Sequence, residues 1–394
     1  MEKIIIVGAG LSGATIARLF AERGYDVTIV DKRDNVGGNL YDYVNEDGIR
    51  IQPYGRHVFH TNDEIVFEFL SKFTEWTKYE HKVLARVRKD KFVPVPFNLN
   101  SLYALYPDAT AKQIESELKK GMGDGEEASI LSLKDHPSGD IRGFADFVYK
   151  NIFYIYTLKQ WGFKPELLGD DVIARVPVRC SRDDRSFPDK YQFMPKKGFS
   201  EMIINLLRHP RIKLKIKTDA KKILQFHDGE IYLNGSPFDG KVVYTGCLDE
   251  LFGYKKGRLQ YRSLKFKFEK KKCSSYQRTA VVNYTTSHKY TRIIEFSKFT
   301  CEPKDTTVIA KEYPIPFKRG KTIPYYPVPT KKNKALYGEY VEEAKVYKNL
   351  FLLGRLAKYS NLNMGKAVKD AMELFAEIAE EQVDLDFIKE IKGI

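Results

Sequence analysis

The segment KIIIVGAGLSGATIARLFAERGYDVTIVD, residues 3–31, constrains the fold of this chain more than any other stretch. Residues 3–8 form an apolar run that predicts a buried parallel strand, residues 11–23 carry helical spacing, and residues 26–31 predict a second strand. Gly24 ends the helix. Between the first strand and the helix, Gly8, Gly10 and Gly13 stand in GxGxxG spacing. Gly8 permits the tight turn, Gly10 lets a pyrophosphate approach the backbone at the helix N-terminus, and Gly13 lets helix and strand pack closely. Asp31 ends the second strand about twenty residues further on, where a carboxylate takes ribose hydroxyls. A chance Gly-rich turn is the bland alternative. The context of strand, turn, helix and acid favours a dinucleotide site.

The residues that follow favour FAD over NAD. In DKRDNVGGN (31–39), Gly37 and Gly38 allow an extended chain to pass close to a cofactor, and Asn39 can hydrogen-bond it. Two later strand ends, VVYTG (242–246) and NLFLLGR (349–355, placing Arg355 after a glycine), fit the second half of a flavoprotein fold. No second GxGxxG follows a strand, and GMGDG at 121–125 has the wrong spacing. Its absence argues against electron exchange with a nicotinamide.

The net charge of +14 fits an anionic small substrate, nucleic acid or an acidic membrane surface. No nucleic-acid motif is present, so no nucleic-acid partner is expected. Cys180, Cys247, Cys273 and Cys301 form no CxxC pair, so neither a metal nor a disulfide framework is expected. No apolar run approaches about 18 residues and no signal-peptide pattern precedes the first strand. A cytoplasmic location, no integral membrane segment and a homodimer are the expectation.

Along the chain, residues 82–98 predict a hairpin ending in prolines, residues 100–160 turn helical, and residues 258–341 alternate as in an antiparallel sheet. The fold class is therefore α/β: an FAD-binding Rossmann-like domain with an inserted helical bundle and an antiparallel β-sheet domain. The expected boundaries are 1–80, 199–253 and 342–394 for the FAD domain, 99–168 for the helical insert, and 82–98, 169–198 and 254–341 for the substrate sheet.

Eight further stretches occur in one order over most of the chain: YGRHVFHTN (54–62), YTLKQWG (156–162), RVPVR (175–179), YRSLKF (261–266), YTRIIE (290–295), KEYP (311–314), PYYPV (324–328) and GRLAKY (354–359). Together they resemble the UDP-galactopyranose mutase family. The resemblance implies a flavin fold with a helical bundle and a six-stranded antiparallel sheet. It implies an isomerase interconverting the pyranose and furanose forms of a nucleotide sugar, UDP-galactopyranose to UDP-galactofuranose or a close analogue, for cell-surface polysaccharide. It further implies that N5 of reduced FAD attacks the anomeric carbon and displaces the diphosphate, with no net redox change.

The resemblance also implies roles. Arg175 and Arg292 match phosphate-binding arginines, whose guanidinium groups suit a diphosphate. His60 lies near the reactive ring, completing the catalytic set. Tyr326 donates to the diphosphate, Tyr156 lies under the uracil ring with Thr157 beside it, and Trp161 stands at a closing loop. Asn283 and His81 contact substrate, as does Arg262 unless it pairs a sheet carboxylate. For each aromatic, core packing is the alternative. The cofactor set comprises Gly8, Gly10, Ser12, Gly13, Asp31, Lys32, Gly38, Asn39, His57, Val58, Thr218, Arg355, Leu362, Asn363 and Met364. Strand alternation points His57 and His60 apart, so they are not read as a metal pair.

The chain departs from the family pattern at four positions. Ser186 and Asn361 stand where the family has tyrosines on the diphosphate. At about 1 kcal/mol each, their loss costs roughly tenfold or more in affinity. Arg182 and Arg185, near the first gap, are expected to compensate. Asn363 replaces an aspartate beside the flavin. Arg56 replaces a small residue and is expected to meet the sugar, unless Asp42 or Glu46 holds it at the surface. These departures open the substrate to an N-acetylated hexose, a deoxy sugar or another nucleotide. Two other classes compete: a flavin amine-oxidase-like oxidoreductase, which needs an apolar cavity, and a nucleotide-sugar binder without activity.

Overall fold

The computed structural model describes residues 2–88, 90–168, 177–300 and 305–393. The opening βαβ unit forms as the sequence predicts: strand Lys3–Val7, helix Leu11–Glu22 and strand Asp26–Val30. These strands sit in a five-stranded parallel sheet. Its order runs Ile212–Lys215, Asp26–Val30, Lys3–Val7, Lys241–Tyr244, Leu350–Leu352, so chain segments from both ends and the middle meet there. Helix Leu11–Glu22 packs against Met364–Ala379 and Phe199–Leu207, burying Ile16, Leu19 and Phe20 with Phe199, Leu206 and Phe375 in the main core.

The helical insert follows the hairpin Val83–Arg88/Lys91–Val95. It includes helices Leu99–Leu105, Asp108–Met122 and Gly139–Val148, and builds a separate core around Phe97, Leu118 and Phe144. A π-helical turn, Tyr149–Tyr154, joins Gly139–Val148 to Ile155–Trp161 without a break.

The substrate sheet corrects the expectation of six antiparallel strands. It has seven strands, and Val281–Tyr284 pairs parallel to Val83–Arg88. The segment after the helical insert departs as well. Pro177–Arg179 pairs with Glu127–Ser129 of the insert, and Tyr191–Pro195 pairs with Phe59–Thr61 and Trp76–Lys78. Neither joins the large sheet. Pairing across the large sheet sets Asn283 opposite Arg292, Arg292 opposite Glu312, and Arg262 opposite Tyr326. Alternation along the strands leaves these five side chains on one face.

The three fingerprint glycines differ in what they can tolerate. A Cβ on Gly13 would lie 1.9 Å from the Gly8 carbonyl oxygen, and one on Gly10 meets nothing nearer than 3.9 Å. The Gly8 oxygen belongs to backbone and cannot swing away. We expect Gly13→Ala to cost about 2–4 kcal/mol in urea unfolding and Gly10→Ala to stay within about 1 kcal/mol. Equal stabilities would contradict the packing described.

Candidate functional site

One cleft runs along the C-terminal ends of the parallel strands. Gly8, Gly10, Ser12, Gly13, Asp31, Lys32, Gly38, Asn39, His57, Thr218, Arg355, Leu362, Asn363 and Met364 all line it. This is the crevice where open α/β sheets bind ligands. The Asp31 carboxylate accepts from the backbone of Ala9 and Arg33, each at 2.8 Å, which fixes it at the strand end. Asn363 caps helix Met364–Ala379 by accepting from Lys366 N–H at 2.8 Å. Val58 does not line the cleft; it is buried in the main core. Arg33 also lines the cleft, donating to Asn39 at 2.9 Å while its Nη1 is buried without a partner. The sequence offers its neighbours Asp31 and Lys32 as cofactor residues but not Arg33, because the fingerprint assigns no role to that position.

The polar face of the large sheet lies beside this cleft. The two are joined by Arg355, whose guanidinium stands 5.3 Å from the Tyr326 ring and donates to the Leu362 carbonyl at 2.5 Å. On the sheet, Arg292 pairs with Glu312 at 3.1 Å and donates to the Tyr156 hydroxyl. Thr291 donates to the same carboxylate at 3.0 Å. Glu312 was quoted within KEYP but not given a role; its function as the arginine's anchor depends on a cross-strand register that sequence does not show. Burial works against the Arg292 charge, but Glu312 and Tyr156 outweigh it and hold its pKa above the usual range. Burial, then the charge of Arg292, lowers Arg56 to about 10.

Both histidines on this face stay neutral. Burial first, then Arg355 and Arg56, pushes His57 down to about 3. His81 is fully buried, neither ring nitrogen has a partner, and burial with Arg56 and Arg292 holds it well below the usual imidazole value. The Asn283 carboxamide oxygen is buried and unpartnered too. Buried polar atoms without partners are rare in folded proteins and cluster where a ligand supplies the missing bonds.

Several expected site residues are placed elsewhere. His60 does not line the cleft: its Nδ1 lies 3.0 Å from Asp189 and its ring stacks on Phe187 at 3.6 Å. Among the described residues Arg262 pairs with no carboxylate. It donates to the carbonyl of Gln160 at 3.0 Å and of Lys159 at 3.4 Å, holding the C-terminal end of helix Ile155–Trp161. Tyr156 is carried by the same helix. Trp161 is buried in a small cluster with Val328 and Leu168, 6.1 Å from the Tyr326 ring, so it packs as core rather than standing on a loop. Thr157 is buried on the same helix.

Arg182 and Arg185 do not compensate at the Ser186 gap. Arg182 pairs with Glu115 at 3.1 Å and lies over Tyr103, and Arg185 makes a two-pronged pair with Asp183. Asn361 is half-buried, with Leu362, Asn363 and Met364 following it into the cleft. Arg175 lies outside the described residues. Among the described residues no metal-binding cluster exists, and no helix is long and apolar enough to cross a membrane.

A cleft of dinucleotide-binding type abutting a half-buried arginine–tyrosine face is the layout of a Rossmann-like enzyme. The sequence profile of UDP-galactopyranose mutases matches residues 151–361, and that of NAD(P)-binding Rossmann-like domains matches residues 6–73. A probable UDP-galactopyranose mutase of Klebsiella pneumoniae is 34% identical over 389 residues, 97% of each chain. A dTDP-fucopyranose mutase of Escherichia coli is 33% identical over 378 residues, 95% of this chain and 97% of that one. The crystal structure of a reduced UDP-galactopyranose mutase shares the fold with a TM-score of 0.75 at 16% identity, over 98% of this chain and 96% of that one. The chain belongs to the UDP-galactopyranose mutase family and is an isomerase.

The histidines give a pH prediction. The folded state holds His81 neutral, while the unfolded chain takes up its proton near pH 6.5. His57 adds to this in the same direction down to about 3. Stability is therefore full above about pH 6.5 and falls as pH drops, by up to about 1.4 kcal/mol per pH unit for each histidine. Urea unfolding between pH 5 and 8 should show this slope, and His81→Phe should flatten it. An unchanged slope in that variant would show that His81 titrates normally.

Proposed function

We propose that the protein interconverts the pyranose and furanose forms of a nucleotide sugar, using reduced FAD. One observation carries the reading: a cleft that accommodates a dinucleotide opens beside half-buried guanidinium groups that, among the described residues, outnumber their carboxylate. The cleft fits FAD on its own geometry. The space above Gly10 leaves room for a pyrophosphate, Gly37 and Gly38 adopt positive φ where the chain turns against it, and Arg33 has a buried, unpartnered Nη1. Gly8, Gly10 and Gly13 would hold the pyrophosphate end, Asp31 the ribose, and His57, Arg355 and the N-terminal turn at Met364 the far end. Bound there in reduced form, FAD supplies a nucleophilic nitrogen for the anomeric carbon.

The chain's own residues do the rest. Arg292, fixed by Glu312, takes the diphosphate charge, and Arg175 is proposed to share it. Tyr156 and Tyr326 flank that charge, with Trp161 and Thr157 backing them. Asn283 and His81, with unpartnered polar atoms, receive sugar hydroxyls. Neutral His81 and His57 serve as hydrogen-bonding groups and not as cations. A preorganised cationic face selects for the state in which charge moves onto the leaving phosphate.

UDP-galactopyranose and a dTDP-linked 6-deoxy sugar are the first candidates, since relatives act on each kind. Dithionite-reduced protein incubated with UDP-galactopyranose, its N-acetyl analogue and dTDP-fucopyranose should give a ring-contracted product from at least one of them by NMR. Binding of all three without any furanose product would mark an inactive binder. Arg292→Ala should lower kcat/KM by about 2–4 kcal/mol with normal FAD content. A near-wild-type value would remove Arg292 from the leaving-group role.

A further inference from the structure

Among the described residues, Arg56 is the cation of the arginine face without a structural anchor. It makes no hydrogen bond or ion pair among the described residues, and its Nε is buried without a partner. The carboxylates that the sequence offered it are taken. Asp42 is bound by Arg50 at 3.4 Å and by the backbone of Phe199 and Ser200, and Glu46 lies by Lys270 at 4.0 Å. Glu312, the carboxylate within electrostatic reach, already serves Arg292 and Thr291.

The loop nevertheless holds Arg56 firmly in place. Gly55 has φ +104°, and a Cβ there would meet the Phe266 ring at 3.1 Å. The Gln52 side chain clasps the next residue on both sides, accepting from His57 N–H at 2.5 Å and donating to its carbonyl at 3.3 Å. Arg56 is thus set between His57, on the cofactor cleft, and Arg292, Tyr156 and Tyr326, on the sheet face. Two half-buried guanidiniums lie within mutual repulsion, and among the described residues Glu312 is the carboxylate acting on both, a setting that favours a bound anion. On the seam between cofactor and nucleotide, that anion is the phosphate joined to the sugar.

We propose that Arg56 binds the sugar-proximal phosphate of the nucleotide diphosphate and neutralises it as the leaving group. This rests on the mutase reading above. In the step it serves, the bond from anomeric carbon to phosphate oxygen breaks and its electron pair stays on that oxygen. The carbon's new bond would come from the nucleophile that reduced FAD supplies when bound, and the free diphosphate carries one more negative charge than before. A cation touching that oxygen contributes most when this charge is greatest. The proposal replaces the expectation that Arg56 reads the sugar and that Arg182 and Arg185 hold phosphate.

The test uses FAD-loaded protein and four probes without sugar: UDP, UMP, dTDP and dTMP, by isothermal titration calorimetry. Arg56→Ala should weaken the diphosphate that wild type prefers by about 10- to 100-fold. The matching monophosphate should change by less than about threefold, since it lacks the second phosphate. Arg56→Lys should recover part of the diphosphate affinity. FAD content should match wild type in both variants, and the order of kcat/KM among nucleotide sugars should not change. Diphosphate affinity retained in Arg56→Ala, or a parallel loss for the monophosphate, overturns the proposal. So does a reordered sugar preference, which would place Arg56 on the sugar, or loss of FAD from both variants, which would make it structural. Wild-type protein that binds neither diphosphate overturns the mutase reading itself, an outcome distinct from all of these.

Discussion

The site depends on one buried ion pair, Arg292 with Glu312 at 3.1 Å. Both residues are set by the register of neighbouring strands, and both are removed from water. Burying a guanidinium is costly unless a carboxylate meets it in good geometry. Here the carboxylate also accepts from Thr291, and the guanidinium also reaches the Tyr156 hydroxyl. The pair therefore fixes the sheet face and orients a tyrosine from a different part of the chain. Arg262 completes this coupling by holding the helix that bears Tyr156. With its carboxylate spent on Arg292, the face is left with surplus positive charge, and the surplus is what a nucleotide diphosphate would meet.

The second constraint is the loop from residue 50 to residue 61, which stitches the cofactor cleft to that face. Gln52 pins the backbone at His57, and strand Phe59–Thr61 then locks into the sheet formed with Tyr191–Pro195. Because the loop is held at both ends, Arg56 and His57 project to adjoining compartments within two residues. Redox-neutral flavin chemistry on a sugar nucleotide needs such adjacency, because the reacting carbon must touch cofactor and leaving group at once.

The fold was largely legible because its strongest signals are backbone constraints. GxGxxG after an apolar strand admits few conformations, and the cleft collects all of the cofactor residues named from sequence except Val58. Val58 instead turns into the main core beside Phe59. The arginines near Ser186 were misread for another reason. Arg182 and Arg185 are close to the gap in sequence, but Glu115, on a helix of the insert, and Asp183, two residues away, capture them. The family resemblance offers Arg262 as a substrate contact or the partner of a sheet carboxylate, and only the three-dimensional approach of helix Ile155–Trp161 shows the carbonyls it holds. The parallel pairing of Val83–Arg88 with Val281–Tyr284 joins segments about two hundred residues apart, which local pattern cannot reveal.

The central claim is that the arginine face works with a flavin that gives and regains the same electrons. The most direct test follows the flavin absorbance anaerobically while dithionite-reduced protein turns over its preferred nucleotide sugar. Covalent catalysis by the flavin predicts many turnovers with the flavin reduced at the end, and no turnover by the oxidised protein. Equal rates in the two redox states, or one flavin reoxidised per product formed, would contradict it.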